Sequence, residues 1–316
     1  MKVTLQSGLP IEDRLFAYTP DLFNTYRHLR LRASGPLYSF LLSREPSPAI
    51  VASIHFSKTF GSLTLSSLIY APFGGINCTN DCAGEELSFL MSCVEKYARE
   101  EGIKKINVIC RPSCYDGILH RLLNIIYLDA GYAHFAEYKN FHIPVHLNPF
   151  ADTIAPQELR RLKKCKDANF LTRIGQNISA DLVFDFFEKA HGEKQYKLSI
   201  SKQKLNQLFS HFPDQFLFFS VWYMDELIAG SICVRINQDI LYMFLITDLL
   251  LYRSFSPCVL LYERIYNYCQ HEGISILDQG ICIDGDGVFK PELARFKKNV
   301  GGKESTKMTY QKVLAD

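Results

Sequence analysis

Three groups of residues have types and spacing that could do chemistry. Arg253-Ser254-Phe255-Ser256 stands immediately before Pro257, where a helical pattern begins. A helix start offers backbone amides with no intrahelical partner, and an arginine with two serines beside them makes an anion site. Ser256 suits the N-cap position, with its hydroxyl accepting from a first-turn amide, and Pro257 suits the first helical position. Asp278 closes a short apolar run, Ile274-Ser-Ile-Leu-Asp278. Strand ends are where open sheets gather site residues, so Asp278 reads either as a proton acceptor or as a carboxylate bonded to a loop amide. Glu158-Leu-Arg-Arg-Leu-Lys-Lys-Cys-Lys166 is the most basic stretch. On a helix it turns Leu159, Leu162 and Cys165 or Lys166 to one side and several cations outward. That face either holds a polyanion such as a tRNA or nucleotide phosphate, or is simply solvated.

Other chemistries lack their residues. Asp284-Gly-Asp286-Gly287 has neither the third acidic position nor the terminal glutamate of a calcium loop, and reads as a tight turn. The histidines are scattered along the chain, so no zinc site is expected, and no G-x-S-x-G marks a serine hydrolase.

These groups need elements to position them. The last quarter supplies a strand pattern (Ile240-Leu-Tyr-Met-Phe-Leu-Ile246), a polar loop, a helix from Pro257 to His271, and the strand ending at Asp278. Before it, Phe216–Tyr223 and Leu227–Ile236 read as an antiparallel meander, and residues 180–192 as a helix. The first half runs similarly. Residues 37–42, 49–56 and 62–69 are strand-like, 84–101 and 115–129 helical, and 104–110 and 133–145 strand-like again. A helix over 20–31 would display Arg27 and Arg30, near Arg14 and Arg32, as a solvated face or a phosphate contact. Pro72-Phe-Gly-Gly75 is a turn, or a loop bringing amides to a ligand. Asn148-Pro149 and Ala155-Pro156 mark a boundary, giving domains of 1–150 and 151–316. Glu101-Gly102-Ile103 and Glu272-Gly273-Ile274 recur at equivalent points of the two halves, which supports an internal duplication.

Composition sets the class. A chain of 316 residues with 47% hydrophobic and 22% charged residues is globular, and a net charge of +2 implies no DNA partner. Ten cysteines scattered without metal spacing, and no leader pattern, favour reduced thiols in the cytoplasm. No apolar run reaches the ~20 residues of a membrane span.

Arg160-Arg161-Leu-Lys163-Lys164, Arg253-Ser-Phe-Ser256-Pro257, Asp278-Gln-Gly280 and the run Phe296-Lys297-Lys298-Asn-Val-Gly301-Gly302 together resemble the GNAT fold of acyl-CoA N-acyltransferases. The form is the double-domain one of Fem-type aminoacyl transferases. The resemblance implies a mixed α/β fold of two tandem GNAT-like domains, each a mostly antiparallel sheet flanked by helices, with the site in the second. It implies N-acyl transfer from acyl-CoA or aminoacyl-tRNA to an amine such as an amino sugar or cell-envelope precursor. Backbone amides of Phe244, Leu245 and Ile246 would meet the donor, together with Arg253, Ser254, Phe255 and Ser256. Asp278 would be the base or the amine anchor, and Phe296 and Lys297 would face the acceptor. The loop departs from the glycine-rich pyrophosphate pattern, because Ser256 and Cys258 hold the small positions and Pro257 removes an amide. This leaves two readings open: a transferase, or a GNAT-like binding and assembly protein that has lost its donor.

Overall fold

The computed structural model describes residues 1–8, 16–32, 35–58, 60–68, 71–175 and 179–314; Arg14 and Ile69 lie outside them. In chain order the strands and helices are β1 (Lys2–Ser7), α1 (Tyr26–Arg32), β2 (Leu37–Ser43), β3 (Ile50–Lys58), β4 (Thr64–Ser66), β5 (Asn77–Cys78), α2 (Gly84–Glu100), β6 (Lys105–Ile109), α3 (Gly117–Asp129) and β7 (Ala133–Pro144). There follow α4 (Pro156–Asp167), β8 (Leu171–Gly175), α5 (Ala180–Glu193), α6 (Lys202–His211), β9 (Phe216–Tyr223), β10 (Glu226–Arg235), β11 (Ile240–Asp248), α7 (Pro257–His271), β12 (Ile276–Ile281), α8 (Pro291–Asn299) and β13 (Lys303–Val313). The helix expected over residues 20–31 is broken. A 3-10 turn at Leu22–Asn24 ends on Thr25 in an extended conformation, with Thr25 Oγ1 donating to the Leu22 carbonyl, before α1 begins.

The chain forms two compact units, Met1–Tyr138 with Thr306–Asp316, and Lys139–Ser305. Residue 150 therefore lies within the second unit, and the last strand of the chain contributes to the first.

The first unit's sheet runs β1-β2-β3-β4-β6-β13. All its pairs are antiparallel except β4 with β6. The second unit's sheet runs β8-β9-β10-β11-β12-β7, and there too one pair, β11 with β12, is parallel. Four antiparallel strands and then a parallel join to a further antiparallel pair thus occur in each unit. Each parallel pair is bridged by a helix, α2 or α7, whose apolar side is buried. Leu87, Leu90, Met91, Val94 and Ala98 of α2 enter the first core with Phe40, Ile54, Ile106 and Tyr310. Val259, Leu261, Tyr262, Ile265 and Tyr266 of α7 enter the second with Phe219, Val221, Leu241 and Leu277. Apolar residues at helical spacing on the helices and at alternate positions on the strands produce these cores.

The repeated Glu-Gly-Ile ends α2 and α7 by the same hydrogen bonds. Gly102 and Gly273 take φ of 63° and 68°. Ile103 N donates to Ala98 O and Ile274 N to Cys269 O, while Glu101 N and Glu272 N reach Tyr97 O and Tyr268 O. Glycine supplies the left-handed residue that stops a helix at little steric cost, so the triplet serves one geometric task twice. All ten cysteines are free thiols. Among the described residues no helix is long and apolar enough to cross a membrane.

Candidate functional site

Within the second unit, β11 and β12 pair only at Ile240, Leu241 and Tyr242, against Ile276, Leu277 and Asp278. Beyond that point the strands diverge. β12 turns to β7, aided by a bulge at Gln279 and a φ of 72° at Gly280. β11 continues along β10 and carries its own bulge at Phe244, which has no register partner between Met243 and Leu245. The half-buried Phe244, Leu245 and Ile246 therefore lie on a strand edge with no partner on the β12 side among the described residues. Such an edge leaves backbone donors and acceptors available to a ligand.

Asp278 sits where the strands part and is buried, 1% exposed. Its Oδ1 accepts from Asn140 Nδ2 at 2.8 Å and from Gly280 N at 2.9 Å. Asn140 Nδ2 also reaches Ser305 Oγ at 3.4 Å. Tyr242 and His142 are the register neighbours of Asp278 on the two flanking strands, so the three side chains form a row on one side of the sheet. Burial, then the Asp278 charge, raise the Tyr242 phenol well above its ordinary range. A side chain at Gly280 would collide with the Tyr242 ring, a Cβ there lying 3.2 Å from it.

Lys297 is buried, 5% exposed, rather than on the surface. Its ammonium donates to the carbonyls of Gln279 at 2.6 Å, Gly280 at 3.0 Å and Ile281 at 2.9 Å, the segment of β12 just past the divergence. Three backbone acceptors thus occupy its three donors. Desolvation lowers its pKa below the ordinary lysine value. Phe296 is half-buried, edge-on to Tyr262 in the second core. Gly302 donates to the Lys297 carbonyl at 2.9 Å, and a Cβ at Gly302 would lie 2.5 Å from that oxygen and 2.3 Å from Gln279 Oε1. The family-like run from Phe296 to Gly302 therefore supports the end of β12.

The loop from Leu249 to Ser256 begins α7. Ser256 occupies the N-cap position but with φ 57° and ψ 57°, and its hydroxyl makes no cap bond. Capping requires extended backbone at that position, so the expected cap is not formed. The loop is braced from both sides. Lys194 donates to Thr247 Oγ1 at 3.0 Å and to Asp248 Oδ1 at 2.6 Å, and Glu193 accepts from Leu250 N at 3.0 Å. From α4, Lys164 donates to Ser254 O at 3.0 Å and lies 4.3 Å from the Phe255 ring centre, while Cys165 bonds Phe255 O. Arg253 and Ser254 are exposed. Of the basic stretch, Lys164 is used on this loop, Arg161 pairs with the buried Glu158 at 2.9 Å and Lys166 with Glu263 at 2.8 Å; Arg160 and Lys163 are exposed. Asp284 accepts from Asp286 N and Val288 N and pairs with Lys290, which closes the turn at 284–287.

Strand register therefore brings Asp278, Tyr242 and His142 together with the β12 segment held by Lys297. Arg253, Ser254 and Ser256 occupy the separate loop that follows the open part of β11. His142, Asn140 and Tyr242 escaped the sequence reading, although Asn140-Phe-His142-Ile alternates as a strand with polar residues on one side. Nothing local in the sequence marks Lys164 and Lys194 as loop braces.

The first unit handles its own divergence differently. β4 and β6 pair at Thr64, Leu65 and Ser66 against Lys105, Ile106 and Asn107. Past that point Ser67 N donates to Asn107 O, Ile109 N to Ser67 Oγ and Gly74 N to Ile109 O. Its own backbone bridges this gap. Among the described residues no such bond ties the chain after Tyr242 to β12.

Residues 155–297 match the family described as "Acetyltransferase (GNAT) domain". Of the solved structures, FemX superposes with a TM-score of 0.70 at 12% identity, covering 93% of this chain and 92% of that one. A tandem GNAT protein from the clavulanic acid biosynthesis pathway gives 0.57 at 10% identity, with 100% of both chains covered. L-PGS from Bacillus licheniformis gives 0.55 at 10% identity, covering 84% of this chain and 82% of that one. No curated protein matches the sequence. The expected mixed α/β duplication is thus present: residues 155–297 match the GNAT acetyltransferase domain, and the whole chain shares the fold of FemX and of the tandem GNAT protein.

Proposed function

We propose that the chain is an N-acyltransferase whose second unit holds an acyl or aminoacyl donor in the β11–β12 divergence and passes the group to an amine. The observation that carries this reading is the open β11 edge at Phe244–Ile246, with the braced Arg253 loop after it and the buried Asp278 carboxylate where the strands part. Acyl transfer needs donors aimed at the carbonyl oxygen that becomes negative, and unpaired strand amides meet that need without a charged side chain. Arg253 and Ser254 would take the donor's phosphate, whether of acyl-CoA or of aminoacyl-tRNA. Asp278 would stabilise the positive charge on the acceptor side, the amine belonging to an amino sugar or an envelope precursor. Lys297 would set the strand end that faces the acceptor, and Phe296 its apolar backing. The bridged gap of the first unit supports placing the donor in the second. Free thiols favour a reducing cytoplasm.

The test is calorimetric titration of the full chain with acetyl-CoA, free CoA and aminoacyl-tRNA, on wild type and Arg253→Ala. Binding at about micromolar Kd, weakened roughly tenfold or more in the variant, is expected, since a lost charged contact is worth about 1.4 kcal/mol or more. If none of the three ligands binds, or Arg253→Ala binds as wild type does, the donor assignment is wrong. Charge reversal at Arg160 and Lys163 separates the donors: it would weaken tRNA binding and leave CoA binding unchanged.

A further inference from the structure

We infer that His142 is the proton acceptor of this site, taking the proton of the incoming amine while Asp278 holds the charge that results. This rests on the transferase reading and names a residue that reading did not use. His142 stands directly opposite Asp278 in the β7–β12 register, and opposed side chains on adjacent strands lie about 5 Å apart at Cβ. Asp278 itself is poorly placed to receive a substrate proton. It is 1% exposed, and its Oδ1 already accepts from Asn140 and Gly280. His142 is only half-buried.

The two ring nitrogens have different surroundings. Nδ1 is buried with no hydrogen-bond partner, so the accessible end of this half-buried ring is the Nε2 end. A proton kept on the inner nitrogen leaves the outer nitrogen with its lone pair. Desolvation lowers the His142 pKa, the Asp278 charge raises it and the Lys303 charge lowers it again, so the ring is neutral at pH 7. Tyr242, on the far side of Asp278, carries no charge there because its phenol is pushed upward. A neutral imidazole beside a buried carboxylate is a base whose conjugate acid is stabilised once formed.

The step balances without a co-reactant. The amine nitrogen bonds to the acyl carbon as that carbon's bond to the donor's sulfur or oxygen breaks. The proton lost by nitrogen goes to Nε2, and the imidazolium returns it to the departing thiolate or alkoxide. Thioester or ester plus amine gives amide plus thiol or alcohol, with no net proton.

The test follows the imidazole itself by nitrogen-15 NMR on the full chain, with His142→Gln identifying the signal. Expected are a neutral ring at pH 7, protonated at Nδ1, titrating below 6.5, with a titration midpoint that falls further in Asp278→Asn. A ring charged at pH 7, a ring protonated only at Nε2, or a midpoint unmoved by a folded Asp278→Asn overturns the inference. Should Asp278→Asn not fold, diethyl pyrocarbonate decides on the wild type. His142 must be carbethoxylated, at a rate rising between about pH 5 and about pH 7 as the base form appears, and an unreactive His142 counts against it. Donor affinity of His142→Gln, measured with acetyl-CoA and aminoacyl-tRNA, should equal that of wild type. Loss of donor affinity in a folded variant would make His142 a donor contact instead. Failure of wild type to bind any donor would sink the transferase reading separately, whatever the imidazole does.

Discussion

Replacing Lys297 by methionine tests whether its ammonium supports β12 or reaches a ligand. The side chain is buried and gives three hydrogen bonds, of 2.6, 3.0 and 2.9 Å, to consecutive backbone carbonyls. A bond to a charged group contributes about 1.5–3 kcal/mol, so three amount to a gross loss of about 5–9 kcal/mol. Against this, methionine fills nearly the same volume and removes a buried ammonium whose desolvation costs several kcal/mol. The difference is a net destabilisation of about 3 kcal/mol. In urea unfolding followed by circular dichroism, with m of about 3 kcal/mol per M, the midpoint falls by about 1 M at unchanged m. Lys297→Arg should recover only part of the loss, because a planar guanidinium cannot converge on three carbonyls as a tetrahedral ammonium does. A midpoint within about 0.2 M of wild type, given that m, together with weakened binding of donor or acceptor, would refute the support role.

Two further stability predictions follow from geometry and titration. Gly302→Ala places a Cβ 2.5 Å from the Lys297 carbonyl, and should cost about 3 kcal/mol in the same urea assay; a loss under about 1 kcal/mol would mean that the Gly301–Gly302 turn yields freely. His55 is fully buried, and desolvation lowers its pKa from 6.5 to about 4. The unfolded chain therefore binds the proton first as pH falls. The contribution is complete above pH 6.5 and is lost on acidification through about pH 4, a total of about 3 kcal/mol. His55→Asn should flatten that part of the stability profile, and an unchanged acid limb would contradict the assignment.

The sequence was most legible where periodicity is local. The helix at residues 84–101 and that from Pro257 are found as α2 and α7, and the repeated Glu-Gly-Ile as paired helix stops. The meander of β9, β10 and β11 reads directly from apolar runs separated by turn residues. The expected Ser256 cap failed because residue preference does not fix backbone conformation, and a left-handed φ removes the hydroxyl from the amides. β1, β8 and β13 were missed because each lies at a sheet edge or mixes polar residues into the run, which weakens alternation. The row of Tyr242, Asp278 and His142 depends on cross-strand register between residues up to 136 positions apart, counting 278 − 142, and no local pattern encodes register. Lys297 followed the same rule: its position in the run was visible, its burial was not.

The first unit's sheet includes residues 309–313 of β13, paired antiparallel with Ile109 back to Lys105. During synthesis, β1 to β6 and α1 to α3 emerge long before the strand that completes their sheet. Until then β6 presents an open edge, the kind of surface that recruits stray strands. The second unit draws its β7 pairing from residues made earlier, so all its parts are available once Ser305 is made. Order of manufacture and order of completion are therefore reversed. Shortening the chain before Thr306 would injure the half made first, and a tag fused after β13 would act on that half's closure although it is attached to the far end of the sequence.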